Sequence, residues 1–331
     1  MGERPGYHRS GRKRRHLSST VAWHNILLVV ITLYIVWQGI NYTRDIVMAR
    51  LLRVEEARYG VIEDVLPVEG TLIRNEKVLP SPGTGRLKIL IPEGERVRVG
   101  AVVARVAAPA MDSQKGETLF NITAPVTGIV SYQTDGLESV YTPRNLQVLP
   151  VSKLRSTEIK PIKLTEGMQV EAGKPVAKIV NNLEPVNILG VIPKEKVSSD
   201  MLKTGKRVKV RFAKDQAAPV YLSVADSSFQ GKENLYRLVL NNYSDSFINP
   251  RIVFFELVIK RFEGFIVPAD ALVEKENKLG VYIIYKEAIK WKNVQVIGQI
   301  NNKVAIGGLE PGVSVVQNPK YAREGRIYRH P

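Results

Sequence analysis

The hydrophobic pattern changes character once along this chain, near residue 60. Upstream, Val21–Ile40 reads VAWHNILLVVITLYIVWQGI, inside a stretch from His16 to Thr43 that has no Asp, Glu, Lys or Arg. About 20 residues rising 1.5 Å each cover a hydrocarbon core of roughly 30 Å, so the run predicts a transmembrane helix. Trp23 and Trp37, with Tyr34 and Tyr42, suit the two interfaces. Residues 41–59 lack Gly and Pro, and Ile46, Val47, Leu51 and Leu52 fall near one face, which predicts a short juxtamembrane helix. After Tyr59 the helical period fades. Short β-branched runs take over, punctuated by Gly, Pro and Asn-containing turns, the signal of an all-β body.

An internal echo organises the first part of that body. One copy is Ser81-Pro82-x-x-Gly85, then Glu93-Gly94-x-x-Val97-x-x-Gly100-x-x-Val103-x-x-Val106. The other is Ala124-Pro125-x-x-Gly128-x-Val130, then Glu166-Gly167-x-x-Val170-x-x-Gly173-x-x-Val176-x-x-Ile179. The six glycines, Gly85, Gly94, Gly100, Gly128, Gly167 and Gly173, are read as turn positions needing positive φ, and the spaced Val and Ile as inward strand positions. Neither half can bury its apolar face alone, so the two are expected to close into one barrel-sandwich. The second copy is split by Ser131–Thr165, where Thr142 is an expected N-cap, Pro143 an expected first-turn residue, and Leu146, Leu149 and Leu154 the apolar points.

Charge and chemistry narrow the function. Lys and Arg number 48 against 32 Asp and Glu, a net +16, with four His and no Cys. His8, His16, His24 and His330 leave the long stretch between the last two without His or Cys, which removes the Ser-His-Asp and Cys-His routes and the common zinc sets. No Gly-rich phosphate loop occurs, and Glu55-Glu56 and Glu63-Asp64 read as solvated neighbours rather than a catalytic pair. No catalytic, cofactor or metal residues are therefore expected. The tail carries Arg4, Arg9, Arg12, Lys13, Arg14 and Arg15 against Glu3, which predicts a cytoplasmic N-terminus and an extracytoplasmic body. No small-x-small site closely follows the apolar run, so an uncleaved anchor is favoured over a signal peptide. In the strand predicted over Leu202–Phe212, Arg207, Lys209 and Arg211 alternate with Val208, Val210 and Phe212. That basic face is read either as a contact for anionic lipid or wall polymers or as a plain solvated face; the topology argues against nucleic acid. The sequons at Asn41, Asn121 and Asn242 would matter only in a glycosylating pathway.

The two glycine-turn halves resemble the lipoyl/biotinyl-like domain. Ala110-Met111-Asp112 has Asp where a carrier lysine would stand, and Lys115 lacks a flanking Met, so no swinging arm is implied. Further on come Gly264-Phe265-Ile266-Val267-Pro268-Ala269-Asp270-Ala271-Leu272-Val273, Lys292-x-Val294-x-Val296-x-Gly298, and Gly308-Leu309-x-Pro311-Gly312-x-x-Val315-Val316. This series resembles the C-terminal region of HlyD-like membrane fusion proteins, the periplasmic adaptor subunits of efflux transporters. The resemblance implies a mainly β protein: one N-terminal transmembrane helix, a lipoyl-like barrel-sandwich hybrid, a small β-barrel and a membrane-proximal β domain.

The expected organisation is a basic tail at 1–20, transmembrane helix at 21–40, juxtamembrane helix and first membrane-proximal strand at 41–67, and barrel-sandwich at 68–190 with the insert 131–165. The barrel follows at 191–263, the membrane-proximal domain at 264–318 and a tail at 319–331. The family's long α-helical hairpin is missing: Ala107–Ile122 holds about 16 residues, interrupted by Pro109 and Gly116, too few for two arms of even about 15 Å. No docking to an outer-membrane channel is therefore expected. The insert reads as a small lid or contact surface, or as an elaboration without a partner. The implied function is a non-enzymatic, cofactor-free, homo-oligomeric adaptor on the outer face of the cytoplasmic membrane, contacting an ABC-type or other inner-membrane exporter. The alternative is a structural envelope protein of division or wall assembly that reuses the same modules.

Overall fold

The computed structural model describes residues 2, 27–40, 51–109, 116–149, 160–212, 220–231, 234–241, 245–325 and 328. The basic tail, the start of the apolar run with Trp23, Ala110-Met111-Asp112, Lys115, Leu154, Asn41, Asn242 and His330 lie outside the described residues. Residues 27–40 are helical and exposed along their length. Among the described residues no helix is long and apolar enough to cross a membrane. The rest of the described chain is mainly β, in two compact units: Met1–Ile62 with Phe262–Pro331, and Glu63–Arg261.

In the larger unit, the sandwich consists of two four-stranded sheets. One orders Gln169–Val170, Gly85–Ile89, Val102–Pro109 and Glu117–Thr123; the other orders Glu76–Pro80, Pro175–Val180, Gly128–Ser131 and Arg96–Val97. Each sheet takes strands from both copies of the repeat, so the halves interleave rather than stack. Leu79, Leu87, Val103, Val106, Val130, Val176 and Ile179 fill the space between. In place of a helical hairpin, Val102–Pro109 pairs antiparallel with Glu117–Thr123.

The repeat is explained by a reciprocal exchange of backbone hydrogen bonds. Gly94 N–H donates to the Val130 carbonyl (2.9 Å), and its counterpart Gly167 to Leu87 (2.8 Å). Gly100 donates to Ala124 and Gly173 to Ser81, both at 2.8 Å, so each half is stitched to the other through the same four positions. The acidic residue of each turn joins in: Glu93 accepts the Tyr132 N–H and Glu166 accepts the Ile89 N–H. These two carboxylates are structural, a role their motif alone did not reveal.

The six glycines divide by reason. Gly94, Gly100, Gly167 and Gly173 have φ between +78° and +89°, where only glycine is unstrained. Gly85 and Gly128 have ordinary φ and stand in strands, contrary to the turn reading. A Cβ there would fall 2.2 Å from the Ala107 carbonyl oxygen and 2.3 Å from that of Val180. Both are demanded by close backbone approach.

The same unit holds a closed antiparallel barrel. Arg207–Phe212, Val220–Asp226, Leu235–Leu240 and Val186–Val191 are followed in hydrogen-bonded order by the strand Arg58–Ile73 and the strand Ile252–Pro268. The last closes the ring by pairing Val210↔Leu257 and Phe212↔Phe255. Leu72, Ile188, Val210, Leu222, Leu238 and Phe255 are among its buried core, and Phe212 meets Phe247 edge-on at 4.8 Å. The strand expected to start at Leu202 begins only at Arg207, because Lys203–Lys206 form a turn with Gly205 at φ +90°.

In the smaller unit, Lys278–Tyr285 pairs with Leu272–Lys275, Ala288–Asn293 and Ser314–Val316. Glu276 and Asn277 both have positive φ, the two-residue hairpin turn of primed type. Phe265, Val267, Val281, Ile283, Val304 and Ile306 are buried together. Of the juxtamembrane helix expected over residues 41–59, residues 41–50 lie outside the described residues and Leu51 is helical, but the part from Val54 on is corrected here. Val54–Glu56 is a strand paired with Ser314–Val316, and Arg58 begins the next strand. A partner strand some 260 residues away in sequence outweighs weak local helix preference.

Two kinds of glycine should respond differently to Ala. Gly85→Ala and Gly128→Ala, which drive a methyl into a carbonyl, should each cost about 3 kcal/mol, and Gly94→Ala and Gly173→Ala about 1–2 kcal/mol from φ strain. Urea midpoints of the purified full-length variants check this; a neutral Gly85→Ala would refute the close-approach account.

Candidate functional site

The chain enters the sandwich through Arg74-Asn75-Glu76 and leaves it through Asn181–Glu184, and the two crossings are tied together. Asn181 N–H donates to the Asn75 carbonyl (2.9 Å), and the Asn75 and Asn181 amides both donate to the Glu184 carboxylate. Beside this crossing lies a cluster of charged side chains that are almost wholly buried. Glu76 is at its centre. Its carboxylate meets Arg74 Nε at 2.6 Å, Arg251 Nη2 at 2.8 Å and Lys178 Nζ at 3.6 Å. Lys178 is also 3.6 Å from Glu138, and Arg251 reaches Asp135 with Nε at 2.8 Å and Nη2 at 3.2 Å. Three cations thus face three carboxylates, contributed by the crossing, the sandwich, the insert and the barrel's Ile252–Pro268 approach. Backbone carbonyls take further donors: Arg74 Nη1 donates to Phe247 and Arg251 Nη1 to Leu72 at 3.3 Å.

Electrostatics set the protonation states. Burial alone would raise the Glu76 carboxyl, but Arg74, Arg251 and Lys178 outweigh it and hold the group below its ordinary value of 4.5. Asp135 is likewise opposed by burial yet held below 3.8, through the hydrogen bond and charge of Arg251, the Leu137 N–H and Lys178. Burial pulls Lys178 down, with Arg74 and Arg251 adding to it and Glu76 and Glu138 opposing. Burial works against Arg251 too, but Glu76 and Asp135 raise it overall. For Arg74 burial wins and the shift is downward, although a guanidinium keeps its proton in proteins. Glu76 and Asp135 are therefore ionised at neutral pH. With every anion spent on a neighbouring cation, none is poised as a general base.

The insert is built onto this cluster. Asp135 accepts the Leu137 N–H and Glu138 accepts the Asp135 N–H (2.8 Å), a local turn that presents both carboxylates inward. Pro143–Val148 then forms a 3₁₀ turn capped by Thr142, whose hydroxyl oxygen accepts the Asn145 N–H, with Pro at the start, as expected from the sequence. Tyr141, Leu146 and Leu149 are buried with Ile73, Leu189, Phe229 and Leu235. The orphan carbonyls of the short helix are met from the barrel side. The Gln230 side-chain amide lies 3.1, 3.0 and 3.2 Å from the Leu146, Gln147 and Leu149 oxygens, and Gln230 holds φ +53° to reach them.

The basic face expected from Arg207, Lys209 and Arg211 is shared with carboxylates. Lys209 meets Glu63 at 2.7 Å, Arg211 meets Glu63 at 3.3 Å and Glu256 at 3.0 Å, and Arg207 lies over the Tyr221 ring. Arg261 also meets Glu63, at 3.4 Å, so three cations share two carboxylates there. The sequence reading missed Arg74, Glu76, Lys178, Arg251 and Gln230 altogether. One signal was available: Lys178 interrupts Val176-Ala177-Lys178-Ile179-Val180, a charge inside a fully buried strand. Among the described residues no group of His, Asp and Glu is arranged to hold a metal ion.

Residues 76–181 match the family described as RND related, barrel-sandwich hybrid domain. That span is a barrel-sandwich hybrid domain, and it is the span whose glycine-turn halves resemble the lipoyl/biotinyl-like domain. No curated protein matches the chain. Among solved structures, the chain is similar to ZneB from Cupriavidus metallidurans at 12% identity and a TM-score of 0.34, over 82% of this chain and 93% of that one. It is also similar to MacA from Actinobacillus actinomycetemcomitans at 12% identity and a TM-score of 0.32, over 80% of this chain and 99% of that one.

Glu76→Gln should cost about 3–5 kcal/mol, because it strands buried cations without their shared anion. The pH dependence follows from the lowered carboxyls. Their contribution is complete above 4.5, the ordinary value of Glu76, and is lost as pH falls through the depressed folded values. Urea denaturation at a series of pH values checks both points: the unchanged protein should lose stability on acidification more steeply than Glu76→Gln or Asp135→Asn.

Proposed function

We propose that this chain is a membrane-anchored, extracytoplasmic adaptor of an export or efflux transporter, working by protein–protein assembly rather than chemistry. The observation that carries the reading is the family match over 76–181 on a domain whose glycine turns and acidic turn residues bond reciprocally. The arrangement of the sequence supports it: an apolar run with a basic flank, then the sandwich, then a closed barrel and a further β unit. The exposed helix at 27–40 spans about 21 Å at 1.5 Å per residue and belongs to the run proposed to anchor the chain in the cytoplasmic membrane. Its residues Leu27, Leu28, Ile35 and Trp37 are each about 60% exposed, which an apolar helix tolerates in lipid far better than in water.

In this reading the N-terminus is cytoplasmic, the body stands outside, and copies of the chain assemble beside an ABC-type or other inner-membrane exporter. The short antiparallel hairpin of Val102–Pro109 and Glu117–Thr123 stands where a channel-docking helical hairpin would be, so docking to an outer-membrane channel is not part of the proposal. The work would be conformational: binding that differs between exporter states stabilises one of them. The second reading, a structural envelope protein of division or wall assembly, rests on the same modules serving unrelated functions, since a fold does not by itself fix what its sites do.

Photo-crosslinking of the full-length protein in its own membranes, with mass-spectrometric identification of partners, tests the proposal. A polytopic exporter should be recovered, and its yield should fall when the sandwich is unfolded by Gly85→Ala. Recovery of division or wall-assembly proteins alone would overturn the adaptor reading in favour of the second.

A further inference from the structure

We infer that the described part of the insert, residues 131–149 and 160–165, is a seated strut that fixes the barrel-sandwich on the barrel, so that the two move as one body. Three kinds of contact carry this inference, and each joins the insert to something outside it. The first is charge. Without Asp135 and Glu138, the buried cluster would hold Arg74, Lys178 and Arg251 against Glu76 alone. The insert therefore supplies two of the three anions that allow these cations to sit together out of water. Arg251, which belongs to the barrel side, grips Asp135 through two nitrogens while holding Glu76 of the sandwich. One guanidinium thus binds insert, sandwich and barrel at once, and its face lies over the ring of the insert's Tyr141 at 5.8 Å.

The second contact is apolar. Tyr141, Leu146 and Leu149 of the insert pack with Ile73, Leu189, Phe229 and Leu235, all from barrel strands or the turn between them. The third is a backbone clasp, the Gln230 amide on three carbonyls of the insert. Gln230 and Gly231 both take positive φ there, so the turn is shaped toward the insert at a conformational cost. At its other end the insert is rooted in the sandwich by Tyr132, whose N–H donates to Glu93 and whose hydroxyl reaches the Ile91 and Val103 carbonyls at 2.8 and 2.9 Å, and by Leu164, which packs against the sandwich core. A strut needs two fixed ends, and this segment has both. A direct contact of sandwich and barrel exists as well, through Ile248 with Ile129 and Val180 and through Asn249 with Ser131 and Glu93. The strut braces that small contact from the side.

The absence of Cys from the chain makes the test clean. Spin labels are placed on Lys174→Cys in the sandwich and Ser199→Cys beside the barrel core, both exposed, in the full-length protein in detergent. Pulsed electron resonance then reads the distance distribution between them. The otherwise unchanged protein should give one narrow distance. Leu146→Ala combined with Gln230→Ala should lose it, giving a broad distribution, while hydrogen exchange shows the amides of Val102–Pro109 and Pro175–Val180 still protected. Should that pair of changes unfold the sandwich, Gln230→Ala alone, on the barrel side, is the reading variant and should broaden the distance with protection retained. A broad distribution in the unchanged protein, or a narrow one in the reading variant, would overturn the inference. Neither result bears on whether an exporter is the partner.

Discussion

The Glu76 carboxylate is the constraint on which the larger unit depends. It is the first strand residue of the sandwich, and its two oxygens are shared among a cation on the entering chain, one on the strand Pro175–Val180 and one at the start of the barrel strand that closes the ring. A buried ion cluster of this kind gives little net stability compared with a well-packed apolar equivalent, because desolvation consumes much of the attraction. What it imposes is arrangement. An apolar contact between sandwich and barrel could slide or rotate with modest loss, whereas displacing any one of these six side chains leaves an unpaired charge in a water-free site. The cluster therefore specifies where the crossing strands, the insert and the barrel meet.

The sandwich obeys a second constraint, the exchange of identical hydrogen bonds between its halves. A chain with only one half would present the N–H groups of Gly94 and Gly100 without the Val130 and Ala124 carbonyls that accept them. The repeat is thus a requirement of polar satisfaction as much as of apolar burial. That is why the motif couples Glu-Gly to a second Gly six residues on: the acid reaches the other half's strand while both glycines turn the backbone toward it. Interleaved strands make the halves inseparable.

The parts of this architecture that were legible in the sequence are those fixed by local geometry. Gly94 and Gly173 could be read because positive φ excludes other residues, and Thr142-Pro143 because a cap and a first-turn proline act within four residues. Gly85 and Gly128 were found for the wrong reason: the pattern flagged them, but the cause is a carbonyl contributed by a strand elsewhere. The strand Val54–Glu56 was missed because its partner is Ser314–Val316, and no local signal carries such a pairing. The charge cluster was hidden for the same reason. Arg74, Glu76, Asp135, Lys178 and Arg251 are scattered over most of the larger unit and look like surface residues until the fold collects them. Only Lys178, alone among Val, Ala and Ile, announced that something must meet it inside. The basic strand was legible only in part: Arg207, Lys209 and Arg211 stand out in the sequence, while Glu63 and Glu256, which meet two of them, come from strands distant along the chain.

These constraints together hold the sandwich, the insert and the barrel in register. The central claim is that the insert and the barrel are energetically joined through Asp135 and Arg251. A double-mutant cycle on Asp135→Asn and Arg251→Met, read by urea unfolding of the full-length chain, tests it most directly. The account predicts a coupling free energy of about 1–3 kcal/mol. A coupling indistinguishable from zero, with each single change simply adding to the other, would contradict it.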